Sequence, residues 1–181
     1  MPEHENLYFD RIETPIGKLV IVADAKGAMR MLWFDDGDEG SRADCERRLP
    51  GAALMARRDP FGHSSMLKAY FRGDMEALDR IPVVFSGTPF QNRVWKALRK
   101  IPIGTTTSYG ALAKKIGEPK AVRAVGLANG SNPIGVVVPC HRVIGSDGSL
   151  TGYGGGLPRK KWLLDHEARH CASQFRLEAS T

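Results

Sequence analysis

Residues 104–130 read GTTTSYGALAKKIGEPKAVRAVGLANG, and this stretch decides the fold of the second half of the chain. Ser108 is a good helix N-cap, and apolar residues follow it at helical spacing. The residues GEP at 117–119 predict a turn, and a second helix is predicted to start near Pro119 and to end at Gly130. Two short helices joined by a glycine-containing turn are a candidate helix-turn-helix unit.

The second predicted helix carries small side chains and, after Lys120, one long side chain, Arg123. A helix that reads the major groove of DNA usually presents several long polar side chains to the bases. Small residues would instead let the helix backbone approach a duplex closely, with Arg123 as a protruding arm. From the pattern alone, a helix packed tightly against a neighbour, with Arg123 exposed, is the favoured interpretation.

Residues 136–145 read VVVPCHRVIG and place Cys140 between Pro139 and His141. A thiolate is a strong nucleophile, and a histidine can take its proton. Neighbouring residues of a strand point to opposite faces, so the pair cooperates only if the chain bends at Pro139 or a water bridges them. The apolar run at 136–138 is predicted to be a buried strand that holds the thiol. A lone cysteine is more often a quiet core residue, so the dipeptide by itself is a weak signal.

The segment KWLLDHEARH at 161–170 is predicted to be helical and supplies a candidate acid to orient the histidine. Glu167 lies about one turn beyond Leu163 and Leu164, at the edge of an apolar face. Asp165 is the alternative, but it is offset from that face.

Upstream, the residues FSGTPFQ at 85–91 mark a domain boundary. Thr88 and Gln91 predict a capping box, and Pro89 suits the first position of the helix. The helix should end near residue 101, with Phe90 and Trp95 in the core. Residues 87–170 are therefore predicted to form a mainly helical domain, and residues 171–181 a tail.

Residues 1–86 are predicted to form a separate small domain with a structural role. Three strand-like segments separated by Gly and Pro turns predict an antiparallel sheet, and two further segments predict helices. The strands are expected at 6–13, 18–24 and 27–34, and the helices at 38–49 and 64–73. The fold class is α/β of the α+β kind.

The composition excludes several classes of protein. The chain has 181 residues, of which 42% are hydrophobic and 25% charged, and it lacks an apolar run long enough for a bilayer and a signal-peptide pattern. Cys45, Cys140 and Cys171 have no CxxC spacing, which argues against disulfides and thiolate zinc sites. His166 and His170 have a metal-binding spacing but lack matching ligands, so both are expected to be exposed. We therefore expect a cytoplasmic protein with no membrane association, no metal and no cofactor.

The charge is unevenly distributed along the chain. Residues 1–85 carry 12 Lys or Arg and 15 Asp or Glu, whereas residues 86–181 carry 14 Lys or Arg and 5 Asp or Glu, so the net charge changes from −3 to +9. A polyanionic partner for the basic half and a merely solvated basic face explain this equally well.

In combination, these motifs closely resemble the methylated-DNA–protein-cysteine methyltransferases, also called O6-alkylguanine-DNA alkyltransferases, and most of all the bacterial Ogt-type members. The similarity is dense from about Thr88 to Glu167 and is most specific in PCHRVI, residues 139–144. It implies a suicide DNA-repair protein that binds double-stranded DNA through the minor groove, flips the damaged base and takes its alkyl group irreversibly. The expected substrates are O6-alkylguanine and O4-alkylthymine, and the expected form is a monomer able to bind DNA cooperatively.

The resemblance also implies a role for individual residues. Cys140 resembles the alkyl acceptor, His141 the water-mediated base and Glu167 the carboxylate that polarises it. Asn132 resembles the residue that braces the active-site turn, and Arg123 the finger that fills the gap left by the flipped base. The implied substrate contacts are Tyr109, which assists the leaving guanine, and Val143, Tyr153, Gly154, Gly155 and Gly156. The implied DNA contacts around Arg123 are Ala121, Val122, Ala124 and Gly126.

Two departures and two alternatives follow. Some members have Ser where this chain has Gly154, which suggests a wider pocket. Some bind zinc in the N-terminal half, but here that half offers only His4, Cys45 and His63, so no zinc site is expected. An alkyltransferase-like lesion-binding protein would lack Cys140, and a cysteine hydrolase would leave the basic half unexplained.

Overall fold

The computed structural model describes residues 5–37, Ala43 and residues 46–178, with side chains described as far as residue 172. The chain divides into two compact units. The first comprises residues 1–85 with 133–137, and the second comprises residues 86–132 and 138–181. The sequence placed the boundary one residue later and assigned 133–137 to the second domain.

A four-stranded sheet forms the centre of the first unit. Its strands are β1 (Asn6–Thr14), β2 (Gly17–Asp24), β3 (Met29–Phe34) and β4 (Ala53–Ala56). Their order is β3-β2-β1-β4, and the three N-terminal strands pair antiparallel as predicted. Strand β4 was not predicted, and it pairs parallel to β1, so the sheet is mixed rather than antiparallel. The buried side chains of the strands include Leu7, Leu19, Ile21, Val22, Met31 and Leu32.

Helix α1 (His63–Phe71) matches the helix predicted at 64–73. A short 3₁₀ turn at Pro60–Gly62 leads into it, and the Asp10 carboxylate accepts hydrogen bonds from the Asp59 backbone and from the Ser64 hydroxyl. The helix predicted at 38–49 lies mostly outside the described residues. Within that segment Ala43 and residues 46–49 are described; Ala43 and residues 46–48 are helical, and Leu49 is a bend.

The second unit contains four helices among its described residues. They are α2 (Pro89–Leu98), α3 (Tyr109–Lys115), α4 (Val122–Gly130) and α5 (Leu157–Glu178). Two short strands, β5 (Thr107–Ser108) and β6 (Val143–Ile144), pair parallel to each other. This unit carries the helix-turn-helix segment and the cysteine of the PCHRVI motif.

The N-terminus of α2 confirms the predicted capping box. The Thr88 hydroxyl accepts from the backbone N–H of Gln91, and the Gln91 side chain accepts from the backbone N–H of Thr88. Trp95 is buried and donates its indole N–H to the carbonyl of Ala128 at 2.8 Å, which ties α2 to α4. Phe90 is only half-buried, so its predicted core position is wrong.

The helix-turn-helix segment is built as predicted by α3 and α4. The Ser108 hydroxyl caps α3 by accepting from the backbone N–H of Ala111. Helix α4 buries one face, formed by Val125, Ala128 and Asn129, and leaves the opposite face exposed. A helix in which 3.6 residues make a turn separates these faces cleanly, so α4 both packs on its neighbours and presents a free surface.

Helix α5 corrects two expectations. Residues 171–178, predicted as a tail, continue the helix. His166, predicted to be exposed, is 2% exposed and stacks on Trp162 at a ring-centroid distance of 4.7 Å. His170 is half-buried, and its Nδ1 lies 2.8 Å from the carbonyl of His166. Within the described part of the chain, no helix is both long and apolar enough to cross a membrane.

Candidate active site

Cys140 begins a 3₁₀ turn, Cys140–Arg142, rather than lying on a strand. The predicted strand at 136–138 is wrong, because these residues form turns and Val136 adopts φ 67°. The run is nevertheless buried, as predicted. The chain bends at Pro139, so the side chains of Cys140 and His141 do not point to opposite faces as they would on a strand. A bend at this position is one of the two conditions under which the sequence analysis expects the pair to cooperate.

The turn is fixed from behind by Asn132. Its side-chain amide donates to the carbonyl of Val138 at 2.8 Å, and the backbone N–H of Cys140 donates to the same carbonyl at 2.8 Å. Asn132 is 3% exposed. This arrangement agrees with the bracing position expected for Asn132.

Glu167 joins the turn to helix α5 through a buried charged cluster. Oε1 of Glu167 lies 2.8 Å from Nε2 of His141, and the guanidinium of Arg142 binds both carboxylate oxygens, with Nε and Nη2 each at 2.9 Å. Arg142 also donates from Nη1 to the carbonyl of Ile101 at 2.6 Å. His141 and Glu167 are fully buried. Burial alone would raise the pKa of Glu167, but His141 and Arg142 outweigh it and hold that pKa well below its usual range.

This cluster selects one tautomer of His141. An ionised Glu167 accepts hydrogen bonds only, so the proton of the neutral imidazole sits on Nε2 and points to the carboxylate. The other nitrogen, Nδ1, then carries a lone pair, and it has no hydrogen-bonding partner among the described protein atoms. Burial lowers the pKa of His141 and outweighs Glu167, which raises it, while Arg142 and Lys160 make smaller lowering contributions. The imidazole is therefore neutral at pH 7 and holds a free basic nitrogen.

Cys140 is 7% exposed, and burial raises the pKa of its thiol. A hydrogen bond from Asn132 and the positive charge of Lys160 act in the opposite direction and favour the thiolate. The resting thiol is thus protonated, and it needs a base to become a nucleophile.

Lys160 is a candidate functional residue that sequence reasoning missed. It is fully buried, and its ammonium donates to the carbonyls of Val143 at 2.6 Å and Thr151 at 2.9 Å, with a longer contact to Gly152 at 3.4 Å. Burial lowers its pKa, and the Cys140 thiolate would raise it. The sequence did hold a signal, since a lysine three residues before Leu163 and seven before Glu167 shares their helix face.

The expected pocket residues lie around this lysine. The hydroxyl of Tyr109 donates to the carbonyl of Thr151 at 3.0 Å, so Tyr109 meets the loop that Lys160 holds. Val143 is fully buried. Burial raises the pKa of Tyr153 well above 10, and a nearby Cys140 thiolate would raise it further.

The glycines after Tyr153 form the outer part of the same loop. Gly154 is exposed, whereas Gly155 and Gly156 are half-buried. The carbonyl of Gly155 accepts from Arg159 at 3.2 Å, and Gly156 adopts φ 89°, which a side chain would disfavour.

The expected DNA contacts lie on or beside the exposed face of α4. Arg123, Val122 and Ala124 are exposed, and Ala121 and Gly126 are half-buried. A Cβ added at Gly126 would stand 3.8 Å from Cδ1 of Tyr109, so this face of α4 adjoins the tyrosine at the edge of the pocket loop.

Comparison with known proteins identifies the family. Residues 89–169 match the model of the 6-O-methylguanine DNA methyltransferase DNA-binding domain. The chain is 46% identical over 160 residues to a methylated-DNA–protein-cysteine methyltransferase of Shigella flexneri, covering 87% of this chain and 94% of that protein. A protein of the same name from Mycolicibacterium paratuberculosis is 45% identical over 166 residues, covering 92% and 95%. The chain belongs to the methylated-DNA–protein-cysteine methyltransferase family.

Its fold is also that of a family member bound to DNA. A crystal structure of Mycobacterium tuberculosis OGT in complex with DNA matches with a TM-score of 0.74 and 41% identity, covering 91% of this chain and 94% of that one. The methyltransferase match spans both units, whereas the family model covers most of the second unit and, of the first, only residues 133–137.

No metal centre is evident in the described ranges, where no group of three or more His, Cys, Asp or Glu residues is arranged to hold an ion. The absence of a zinc site in the N-terminal half stays a prediction, because His4 and Cys45 lie outside the described residues. His63 is described and is buried in the first unit.

Proposed function

We propose that this methyltransferase repairs DNA by moving the alkyl group of O6-alkylguanine onto the sulfur of Cys140, once per protein molecule. The observation that carries the proposal is the buried turn in which Cys140 precedes a histidine that is held in one tautomer by Glu167. O4-alkylthymine presents an alkyl carbon on an exocyclic oxygen in the same way, so we include it as a substrate.

The free Nδ1 of His141 is the base. It takes the thiol proton of Cys140 through a bridging water, and the imidazolium that results is stabilised by Glu167 at 2.8 Å. Arg142 keeps Glu167 ionised and in place, so it acts as a positioning residue. Lys160 and Asn132 stabilise the thiolate once it has formed.

The thiolate then attacks the alkyl carbon of the lesion. A sulfur–carbon bond forms as the carbon–oxygen bond breaks, and the electron pair of the broken bond stays on the guanine. Tyr109 gives up its hydrogen bond to the carbonyl of Thr151 and donates its proton to the leaving guanine. The proton that His141 took from the thiol returns through water to Tyr109, so the products are a thioether at Cys140, an intact base, and neutral His141 and Tyr109. A thioether has no proton to lose and no activated leaving group, so the cysteine is not regenerated.

The DNA partner is a duplex approached through its minor groove. A base inside a duplex cannot reach a buried thiol, so the lesion must rotate out of the stack, at a cost of a few kcal/mol. The small residues of α4 permit close approach, and the exposed Arg123 fills the space that the base leaves. The protein acts as a monomer in this scheme, since all the proposed catalytic groups belong to one unit of one chain.

The test is mass spectrometry after incubation with duplex DNA containing O6-methylguanine. We expect one equivalent of methyl group on the Cys140 peptide and none on the Cys140→Ser variant. Cys171→Ser is the matched control, because Cys171 is also a free, partly accessible thiol, and this variant should be methylated like the wild type. Turnover beyond one equivalent, or methylation that survives Cys140→Ser, would overturn the proposal.

A further inference from the structure

Leu127 stands out on helix α4 because its side chain is 71% exposed. The other exposed large apolar side chains in the described part of the chain are only 38–44% exposed. Sequence reasoning passed over this leucine when it described α4 as a helix with small side chains and one long one.

The position of Leu127 on the helix is informative. Residues four apart on an α-helix differ by about 40° around the axis and by about 6 Å along it. Leu127 therefore lies on the same face as Arg123, one turn further along. The residues that flank these two on the exposed side are Ala124, Gly126 and Gly130, so Arg123 and Leu127 are the two side chains that project furthest from this face.

The fold does not require a leucine at this position. Helix α4 packs through Val125, Ala128 and Asn129, on the opposite side. Alanine has a helix propensity as good as that of leucine, and removing an exposed apolar side chain leaves no cavity. The side chain is thus available for a contact outside the chain.

The charge around Leu127 favours a polyanion over a second copy of the chain. Residues 120–130 include Lys120 and Arg123 and no acidic residue, and the preceding Glu118 pairs with Arg93 at 3.1 Å. A symmetric contact between two copies would bring Arg123 of each molecule against like charge, whereas DNA neutralises it.

We propose that Leu127 is an apolar minor-groove contact for the lesion duplex, placed beside the site that Arg123 fills. This inference rests on the proposed function. The walls of the minor groove are deoxyribose C–H groups, and proteins that kink DNA there insert side chains such as leucine. A separation of about 6 Å along the helix corresponds to roughly two base steps at 3.4 Å each. Leu127 then packs against the sugars and base edges next to the flipped nucleotide and helps to keep the helix stack open.

The test compares Leu127→Ala with Leu54→Ala, a control leucine in the first unit that is 42% exposed. Binding is measured for each substitution separately in a Cys140→Ser background, on duplexes with and without O6-methylguanine. Transfer is measured with Cys140 present, on the lesion duplex and on free O6-benzylguanine. We expect Leu127→Ala to weaken lesion-duplex affinity about tenfold, the effect of losing most of a buried leucine contact. Its rate with the free base should stay within twofold of the wild type, and Leu54→Ala should match the wild type throughout.

A Leu127→Met variant and sedimentation of each variant complete the test. Leu127→Met should restore most of the affinity, because methionine keeps the apolar contact. Wild-type duplex affinity in Leu127→Ala, an equal loss on duplex and free base, or a change in sedimentation without a change in DNA binding would each overturn the inference. If the wild-type protein itself transfers no alkyl group to Cys140, the proposed function fails instead, so the two failures are distinct.

Discussion

Replacing Glu167 with glutamine tests the buried cluster, because the change keeps the size of the side chain and removes its charge. Glu167 binds Nε2 of His141 at 2.8 Å, and it binds Nε and Nη2 of Arg142 at 2.9 Å each. In the variant, the guanidinium of Arg142 remains buried without a counter-charge. The amide also offers one oxygen acceptor in place of two, so it cannot accept all three hydrogen bonds that Glu167 accepts from His141 and Arg142.

The expected loss of stability follows from this geometry. Removing one partner of a buried ion pair costs about 3–5 kcal/mol, because the remaining charge is left uncompensated. For a chain of this size that corresponds to a fall in Tm of about 6–20 °C. The depressed pKa of Glu167 means that its contribution is present above pH 4.5 and is lost only as the pH falls towards the folded-state pKa. The difference between wild type and variant should therefore be complete at pH 7 and shrink in acid.

The rate should fall by about 10²–10⁴-fold, the usual worth of an oriented general base. The assay is single-turnover methyl transfer from a lesion duplex, run well below the Tm of the variant. A purely structural role for Glu167 would slow transfer equally at all pH values. Loss of the base predicts instead that the deficit narrows at high pH, where hydroxide deprotonates Cys140 without help from His141.

Asp165→Asn is the matched control, since Asp165 lies on the same helix and forms an exposed pair with Lys161. An exposed pair of this kind contributes little, so this variant should behave as the wild type in both assays. A Glu167→Gln protein that transfers methyl groups within threefold of the wild-type rate, or whose deficit does not vary with pH, would refute the assignment of His141 as a base oriented by Glu167.

Three further predictions concern His63 in the first unit, and Asn132 and Gly154 in the second. Burial lowers the pKa of His63, so this group is neutral in both states above its unfolded pKa of about 6.5 and destabilises the fold as the pH falls below that value. Urea titrations at pH 5 and 8 should show that His63→Gln removes up to about 1.4 kcal/mol per pH unit of this dependence. Asn132→Leu should slow transfer at pH 7 by about tenfold or more, because the thiol loses a hydrogen bond that favours its ionised form, and the pH–rate profile should move to higher pH. Gly154→Ser should lower the ratio of benzyl to methyl transfer rates if an open loop admits larger lesions, and an unchanged ratio would count against that idea.

Periodicity and turn chemistry predicted the elements that depend on local sequence. The capping box at Thr88, the cap at Ser108 and the three N-terminal strands all follow from side chains that act within a few residues of themselves. Strand β4 was missed because ALMA at 53–56 has no β-branched or aromatic residue, and it is a strand only because β1 offers an edge to pair with. A contact set by a distant partner leaves no local pattern.

The same limit explains the error at residues 136–138. Three consecutive valines favour a strand, and burial of the run was predicted correctly. The backbone instead turns twice, with Val136 at φ 67°, because the carbonyl of Val138 is taken by Asn132 and by the Cys140 N–H. Tertiary hydrogen bonds overrode the propensity of the valines, and they did so immediately before the reactive cysteine, where a strained backbone is most often found.

Charged residues were the other source of error. Arg142 and Lys160 were given no role, since charged side chains are seldom fully buried. Both are buried because each satisfies several acceptors at once: Arg142 binds Glu167 and a carbonyl, and Lys160 binds backbone carbonyls. Helical spacing in the sequence places Lys160, Leu163 and Glu167 on one face of α5. It does not reveal the backbone carbonyls that lie opposite this face and accept hydrogen bonds from the buried lysine.

The buried charges also explain how a thiol with a raised pKa can serve as a single-use reagent. An exposed cysteine with a lowered pKa would be largely ionised at neutral pH and would be consumed by alkylating or oxidising molecules in solution. At 7% exposure, Cys140 has a raised pKa and is protonated at pH 7, and in the proposed mechanism its activation depends on a proton path to His141 and on the positive charge of Lys160. In the proposed mechanism, a flipped base displaces bulk water from the pocket but keeps the water that bridges Cys140 and His141, and the drier surroundings strengthen the effect of the Lys160 charge. We therefore expect the reactivity of Cys140 to depend on a base in the pocket, which suits a protein of which each molecule acts only once.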